Sequence, residues 1–448
     1  MTLKTLTARL ESILFDPRLW AGLLFMAGLY WLDLPYYDDH APRQAGTATI
    51  ARNFYAFGIN PFYPLSDICG AASPDYFATE FPLLQVLTTL LYYVFGEHYW
   101  VGRFVNWSVS CLGLVFFARL TDRVTDKKAG LFAMFMLIGS ITLAFMRKMM
   151  PDTFSLFLVI IGTYYFFRYL DQHQRRDLLL GTFLATLGVL SKIPSVMVLT
   201  LLVVPLLNPD IPLRRKRNVG IGITVAGLLT AGWYFAWMPH LQEITHCPPL
   251  IFPVSLAEGF RIFFFELPEK AWQRFHHVAF YGPWPLILAF VGVGFSIWKQ
   301  AWSFLLGALA YLIIFFLYAF KTGHVFPTHT YYIIPLIPLM SIFVGQLFTW
   351  SGRWKWLALV LTFVMIFEPV RKTGKDIYLY PAPVDQLGQT LDGLGVAKDD
   401  LIMINDGSIN PTLMFYARRR GWTVTNDILT KYEWMNGYRA QGLKFLVV

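Results

Sequence analysis

Tyr36-Tyr37-Asp38-Asp39-His40-Ala41-Pro42-Arg43-Gln44 follows directly on one apolar run, and Thr79-Glu80-Phe81-Pro82-Leu83 leads directly into another. Acidic, basic and imidazole side chains set against membrane-length apolar segments are expensive to keep there, so such a cluster marks a functional site by default. The loop from Leu34 to Leu83 is the stretch around which the rest of the chain is organised.

The chain has 448 residues, of which 56% are hydrophobic and only 15% charged, with a mean hydropathy of +0.49. A soluble domain carries about 25% charged residues. Charge-free windows such as Val219 to Met238, Trp302 to Phe320 and Tyr331 to Trp350 approach the roughly 20 residues of a spanning helix. The composition therefore indicates a polytopic α-helical membrane protein rather than a barrel.

Apolar periodicity predicts eleven spans, near 19–34, 101–118, 129–146, 153–168, 178–191, 193–208, 219–238, 283–298, 302–320, 331–350 and 354–368. The net charge of +9 does not point to nucleic acid, because the basic residues sit in short loops between apolar runs. Loops with Arg119, Arg123, Lys127 and Lys128, and with Arg214, Arg215, Lys216 and Arg217, carry the larger share of Lys and Arg. They are expected on the cytoplasmic side, with the N-terminus inside and the C-terminus outside.

The runs at Pro82 to Phe95 and Ala45 to Phe57 are too short to span and are expected as juxtamembrane helices on the outer face. The expected domains are a transmembrane part, 1–370, with large extracytoplasmic loops at 35–100 and 239–282, and a small α/β domain at 375–448. In the latter, Leu401 to Ile404, Trp422 to Thr425 and Phe445 to Val448 read as strands. Asn410 to Arg420 reads as a helix closed by Gly421, and Ile428 to Gln441 as a second helix. Ending on a strand suggests a shortened version of a longer chain. Of the three cysteines, Cys69 and Cys247 could pair if both loops lie outside, whereas Cys111 lies within a span.

With this orientation one face collects Asp38, Asp39, His40, Arg43, Glu80, Arg147, Lys148, Asp152, Lys192, Lys321, His324 and His329. Interfacial Lys and Arg often only snorkel, and Lys148 and Lys321 fit that reading equally well. Asp38 and Asp39 precede the Pro42 helix, so one is expected to cap it and the other to accept a proton. Glu80 can orient an acceptor, bind a cation or cap the helix from Pro82. Arg147 and Asp152 bracket a turn and could form a structural pair. Lys192 reads as a lone cation at a break between apolar segments, suited to a phosphate. His329, with Tyr332 close behind, could donate to a phosphate or sugar oxygen or be satisfied by backbone.

Taken together, these segments resemble the first-loop signature and later motifs of the GT-C glycosyltransferases related to protein O-mannosyltransferases and the lipid A aminoarabinose transferase. The motifs are Asp38 to Gln44 with Thr47 and Ile50-Ala51-Arg52-Asn53-Phe54, then Asn60 to Pro64, Glu80-Phe81-Pro82-Leu83, Phe95-Gly96 and Gly102-Arg103. Arg147 to Asp152, Ser191-Lys192 and His329 to Tyr332 with Pro335 and Pro338 follow in the family's order. Relatives often have an aromatic residue at position 42 and a non-acidic one at position 39.

The resemblance implies an inverting transferase of the bacterial inner membrane. It would move a sugar from a polyprenyl-phosphate carrier to a hydroxyl of a lipid, protein or polysaccharide. It implies Asp38 as general base with Asp39 as the rival, Arg43, Arg147, Lys192 and His329 at the lipid phosphate, and Glu80 at the acceptor or at a divalent metal. His40, Asp152 and Tyr332 complete the expected substrate site. No nucleotide loop is needed, and none is present. The competing reading is a transporter or binder of lipid-linked sugars, whose ionisable residues should lie near the bilayer midplane.

Overall fold

The computed structural model describes residues 9, 11–70, 76, 77, 79–125, 128–245, 253–349, 355–378, 383–406 and 410–447. Among the described residues five helical segments are long and apolar enough to cross a membrane: Tyr99–Thr125, Pro151–Gln172, Leu213–Ile244, Trp302–Lys321 and Thr330–Phe348. Leu83–Phe95, Ile193–Leu207 and Trp284–Trp298 are shorter apolar helices. The chain is a helical membrane protein with several spans.

Several expected spans are interrupted. The one expected over 129–146 is two helices, Gly130–Ile138 and Thr142–Met146. Between them the Ile141 N–H leaves the helical pattern and donates to Ala279 O at 2.9 Å. The apolar segment from Thr330 starts as a 3₁₀ helix to Leu336 that contains Pro335, because a proline supplies no N–H to an α-helical ladder.

Two helices frame the first loop. Helix α1, Ala41–Phe57, starts with Pro42 in its first turn and stops at Gly58, whose φ of 97° only glycine holds without strain. Helix α2, Leu83–Phe95, ends the same way at Gly96. Ala45, Ala48 and Ala51 are fully buried on α1, and their small side chains let α2 approach until Thr89 Oγ1 donates to Ala51 O at 3.0 Å. Both juxtamembrane helices of the sequence reading are therefore present as helices.

Behind them stand α3, Tyr99–Thr125, α4, Pro151–Gln172, and α5, Arg175–Ser191. The α4–α5 hairpin is close-packed: a Cβ at Gly162 would sit 2.7 Å from the Ala185 nitrogen. The largest apolar core runs through these helices and the segments 304–344.

The C-terminal part has a three-stranded parallel sheet in the order β2-β1-β3, with β1 Leu401–Asn405, β2 Arg420–Val424 and β3 Leu443–Val447. Helix α6, Pro411–Ala417, is capped by Asn410 and ends on Arg418 in the left-handed region, φ 50°. Gly421 was expected to close this helix and does not. It lies inside β2, where a Cβ would meet the Ile402 carbonyl oxygen at 1.7 Å, so the glycine permits close strand pairing. The expected 428–441 helix is two, Asn426–Leu429 and Tyr432–Ala440.

This part is tied to the first loop. Ile50, Phe54, Ile68 and Phe77 share a core with Leu391, Ile402, Ile404 and Met414. Arg52 donates to Phe415 O at 2.8 Å and to Asp67 at 3.0 Å. Gly70 N–H donates to Gly421 O at 2.7 Å. Cys69 is disulfide-bonded, and the Cys247 of the expected pair lies outside the described residues. Cys111 is free and buried.

Candidate active site

Three cations converge on one carboxylate. Asp38 Oδ2 pairs with Arg147, and it lies 3.7 Å from Arg103; Oδ1 takes Lys148 at 3.2 Å and the Gln44 amide. Asp38 has a side-chain exposure of 6%, and Arg103, Arg147 and Lys148 are all similarly buried. Burial alone would raise the Asp38 pKa, but Lys148, Arg147 and Arg103 overcome it and hold the carboxyl well below the usual carboxylate range. Burial pulls the Lys148 ammonium down despite Asp38.

The local chain folds to make this meeting. Arg103 projects from α3 into the turn after the first helix and donates to Leu34 O at 2.5 Å and Pro35 O at 3.1 Å. Arg147 donates to Trp31 O at 3.2 Å. The turn that carries Arg147 and Lys148 is fixed by Asn106, whose amide donates to Phe145 O at 3.1 Å and Lys148 O at 2.7 Å. Gln44 closes the ring, because its amide donates to Asp38 while its oxygen accepts from Met149 N–H at 3.3 Å.

Asp39 has a different environment. Its side chain is 54% exposed and lies 3.5 Å from His40 Nε2. Thr330 Oγ1 donates to Asp39 Oδ2 at 3.3 Å. Both aspartates line a cavity of about 210 Å³, together with Arg147, Lys148, His277, Tyr281 and Thr330.

His40 heads α1 in the left-handed region, φ 62°, uncommon for a non-glycine residue. Its ring lies 4.8 Å from that of Tyr331 and stacks on His329 at 5.6 Å. Burial lowers its pKa to about 4, so it is neutral near pH 7. His329 is lowered too, first by burial, and its Nδ1 lies 3.0 Å from Thr328 Oγ1 and 3.3 Å from Val325 O. That partnership matches the backbone-satisfied reading. Tyr332 stacks on Tyr318 at 5.6 Å.

A second cluster contains the other expected residues. Arg43, partly exposed, pairs with the buried Glu80. Burial would raise the Glu80 pKa, and Arg43 and Lys192 lower it below its ordinary value. Lys192 Nζ lies 3.2 Å from Asp152 and 5.5 Å from the Tyr331 ring centre.

Several expectations are corrected here. Lys192 is not a lone cation, because Asp152 answers it. Arg147 pairs with Asp38 rather than Asp152. Neither aspartate caps α1 through its side chain, since His40 occupies the cap position, and Glu80 does not cap α2, whose N-cap is Pro82. Among the described residues no three His, Cys, Asp or Glu side chains converge as a metal site. Glu80, expected at the acceptor or at a metal, has Arg43 and Lys192 as its charged neighbours, an arrangement that does not suit a divalent ion.

Sequence reasoning missed Arg103, Gln44, Thr330 and His277 as site residues. Arg103 and Gln44 stood within the quoted motifs but looked like span and helix positions. Thr330 lies beside His329 with no chemistry of its own to announce it.

Residues 79–235 match the sequence family described as dolichyl-phosphate-mannose-protein mannosyltransferase. In fold, nearly the whole chain is similar to solved structures. ArnT from Cupriavidus metallidurans bound to undecaprenyl phosphate superposes with a TM-score of 0.61 at 14% identity, over 95% of this chain and 89% of that one. The family likeness thus covers about a third of the chain, and the likeness to ArnT is one of fold. Its likeness to the same ArnT in the apo state has a TM-score of 0.57 at 13% identity, covering 95% and 88% of the two chains. The Archaeoglobus fulgidus oligosaccharyltransferase in complex with Zn and sulfate gives 0.55 at 12% identity, over 96% of this chain and 67% of that one. No curated protein matches the chain by sequence. The family match begins at Thr79, so the Asp38–Asp39 loop falls outside it and its roles rest on geometry.

Proposed function

We propose that this protein moves a glycosyl group from a polyprenyl-phosphate donor to an acceptor hydroxyl, with the phosphate seated beside Arg147 and Lys148 and the proton taken by Asp39. The observation that carries this reading is the charge imbalance at the cavity wall: Arg103, Arg147 and Lys148 converge on the Asp38 carboxylate, with the half-exposed Asp39 as the second acid near Lys148. A buried surplus of positive charge calls for an anion.

A phosphodiester donor brings one negative charge, and the departing phosphate monoester carries about −1.5 to −2. The surplus is therefore better neutralised as the sugar–phosphate bond breaks than before it breaks. Interactions that strengthen toward the transition state are the ones that accelerate the reaction. The acceptor oxygen forms the new bond to the anomeric carbon on the face opposite the phosphate, the bonding pair leaves with the phosphate, and the acceptor proton goes to the base.

The family resemblance favours Asp38 as that base, whereas the geometry favours Asp39. Asp38 is held by cations that make it a weak base, and its oxygens are occupied. Asp39 faces the same cavity half-exposed. Asp38 is then the counter-ion that keeps Arg147 and Lys148 in place. That ArnT binds undecaprenyl phosphate on the same fold supports this choice of donor.

The test uses membranes containing the full chain, supplied with undecaprenyl-phosphate carriers of labelled mannose, glucose or aminoarabinose. Label should leave the lipid with the wild-type chain and stay on it with Asp39→Asn. Full transfer by Asp39→Asn would discard Asp39 as base, and a wild-type chain that discharges no carrier in the panel would count for the binder reading.

A further inference from the structure

We propose that Thr330, itself oriented by His40, is the positioning residue that aims the Asp39 carboxylate into the cavity. The inference rests on Asp39 as proton acceptor and adds a residue to which no role has been given.

Thr330 has one hydroxyl proton. It goes to Asp39 Oδ2, because an ionised carboxylate only accepts. His40 Nε2 lies 2.8 Å from the same hydroxyl oxygen. With the hydroxyl proton already committed, Nε2 must carry a hydrogen and donate it to Thr330 Oγ1. The chain of donation is then His40 Nε2–H to Thr330 Oγ1–H to Asp39 Oδ2. The Thr330 to Asp39 contact of 3.3 Å is long, as catalytic hydrogen bonds often are before substrate tightens them.

The surroundings are built to keep His40 in that role. Its left-handed backbone at the head of α1 is a conformation that persists only where neighbours hold it. Those neighbours are the rings of His329, Tyr331 and Phe145, with centres at 5.6, 4.8 and 5.7 Å. Among the described residues only Oδ2 of Asp39 has a side-chain partner, so Oδ1 is the oxygen presented to an acceptor. The charged and titratable groups that face Asp39 are His40 and His329, Lys148 from the turn before α4, and Arg274. His277 lies across the cavity.

A merely structural threonine and a positioning one differ in what they change. With the same carriers, Thr330→Val should lower kcat about ten- to a hundred-fold, the worth of a hydrogen bond to a charged group, at an unchanged KM for the donor. The acid limb of the pH profile should move to higher pH, because the ionised carboxylate has lost a donor. Thr330→Ser should restore both. His40→Asn, tolerant of the left-handed backbone but too short to reach Thr330, should move both quantities in the same direction and by less. It carries the test if the valine variant fails to fold.

A wild-type kcat and an unmoved acid limb in Thr330→Val, with Asp39→Asn inactive, would overturn this inference alone. Full activity in Asp39→Asn, or no discharge of any carrier by the wild-type chain, would overturn it together with the reading beneath it.

Discussion

The two ion clusters beside the cavity are built from the same residue types and have opposite charge balances. Around Glu80 and Asp152 each acid has one basic partner, Arg43 and Lys192. Around Asp38 three basic groups converge on one buried carboxylate, with only the half-exposed Asp39 as a second acid near Lys148. A balanced buried pair is self-compensated, whereas a buried surplus of one sign is costly until a counter-charge meets it. The cavity is lined by Arg147 and Lys148 of the unbalanced set and by neither Arg43 nor Lys192. Of the phosphate ligands expected from the sequence, Arg147 lines this cavity, and Arg43, Lys192 and His329 are not among its lining residues.

The sharpest way to break this comparison is the base. Asp39→Asn should reduce transfer about 10² to 10⁴-fold, the range of general-base contributions, while binding of undecaprenyl phosphate is retained in a filter assay. Loss of binding instead would assign Asp39 to the structure of the cavity.

Asp38→Asn comes next. It leaves three buried cations without their carboxylate, which should cost about 3–5 kcal/mol and abolish transfer with it. Added undecaprenyl phosphate should recover part of the lost thermal stability, because the ligand supplies the missing negative charge to the folded state alone. A variant that the lipid does not stabilise beyond wild type would remove the argument from surplus charge.

Glu80→Gln supplies the contrast. Arg43 loses its charged partner but keeps an amide oxygen, for a loss of about 3 kcal/mol, and undecaprenyl phosphate should return no more stability than it gives the wild-type chain. Equal rescue of both variants would merge the two clusters into one site.

The smallest effect concerns His40. Its pKa is lowered in the fold from 6.5 to about 4, so between those values the unfolded chain binds the proton more readily. Stability is then full above pH 6.5 and declines as pH falls toward 4, by up to about 1.4 kcal/mol per unit. His40→Asn should flatten that part of a melting-temperature profile, and an unchanged slope would assign it to other groups.

Much of this could be read without coordinates. Apolar length and sparse charge determine a helical membrane protein, since a bilayer admits only segments that satisfy their own backbone. Pro42 with Gly58 and Pro82 with Gly96 mark the ends of α1 and α2 through backbone rules that act locally. The strands read from Leu401, Trp422 and Phe445 are likewise local, although the last begins two residues earlier, at Leu443.

What the sequence left open was partnership. Adjacent aspartates look alike on paper, and only the packing of α3 and the Arg147 turn buries one of them among cations while leaving its neighbour half exposed at a cavity. Lys192 seemed alone because Asp152 stands a whole hairpin away in the chain, and Thr330 seemed inert because its importance lies in two bonds to residues almost three hundred positions earlier. Hydropathy and turn chemistry act over a few residues and are written in order, whereas charge balance depends on which distant groups share a low-dielectric volume, and that is fixed only when the helices have packed.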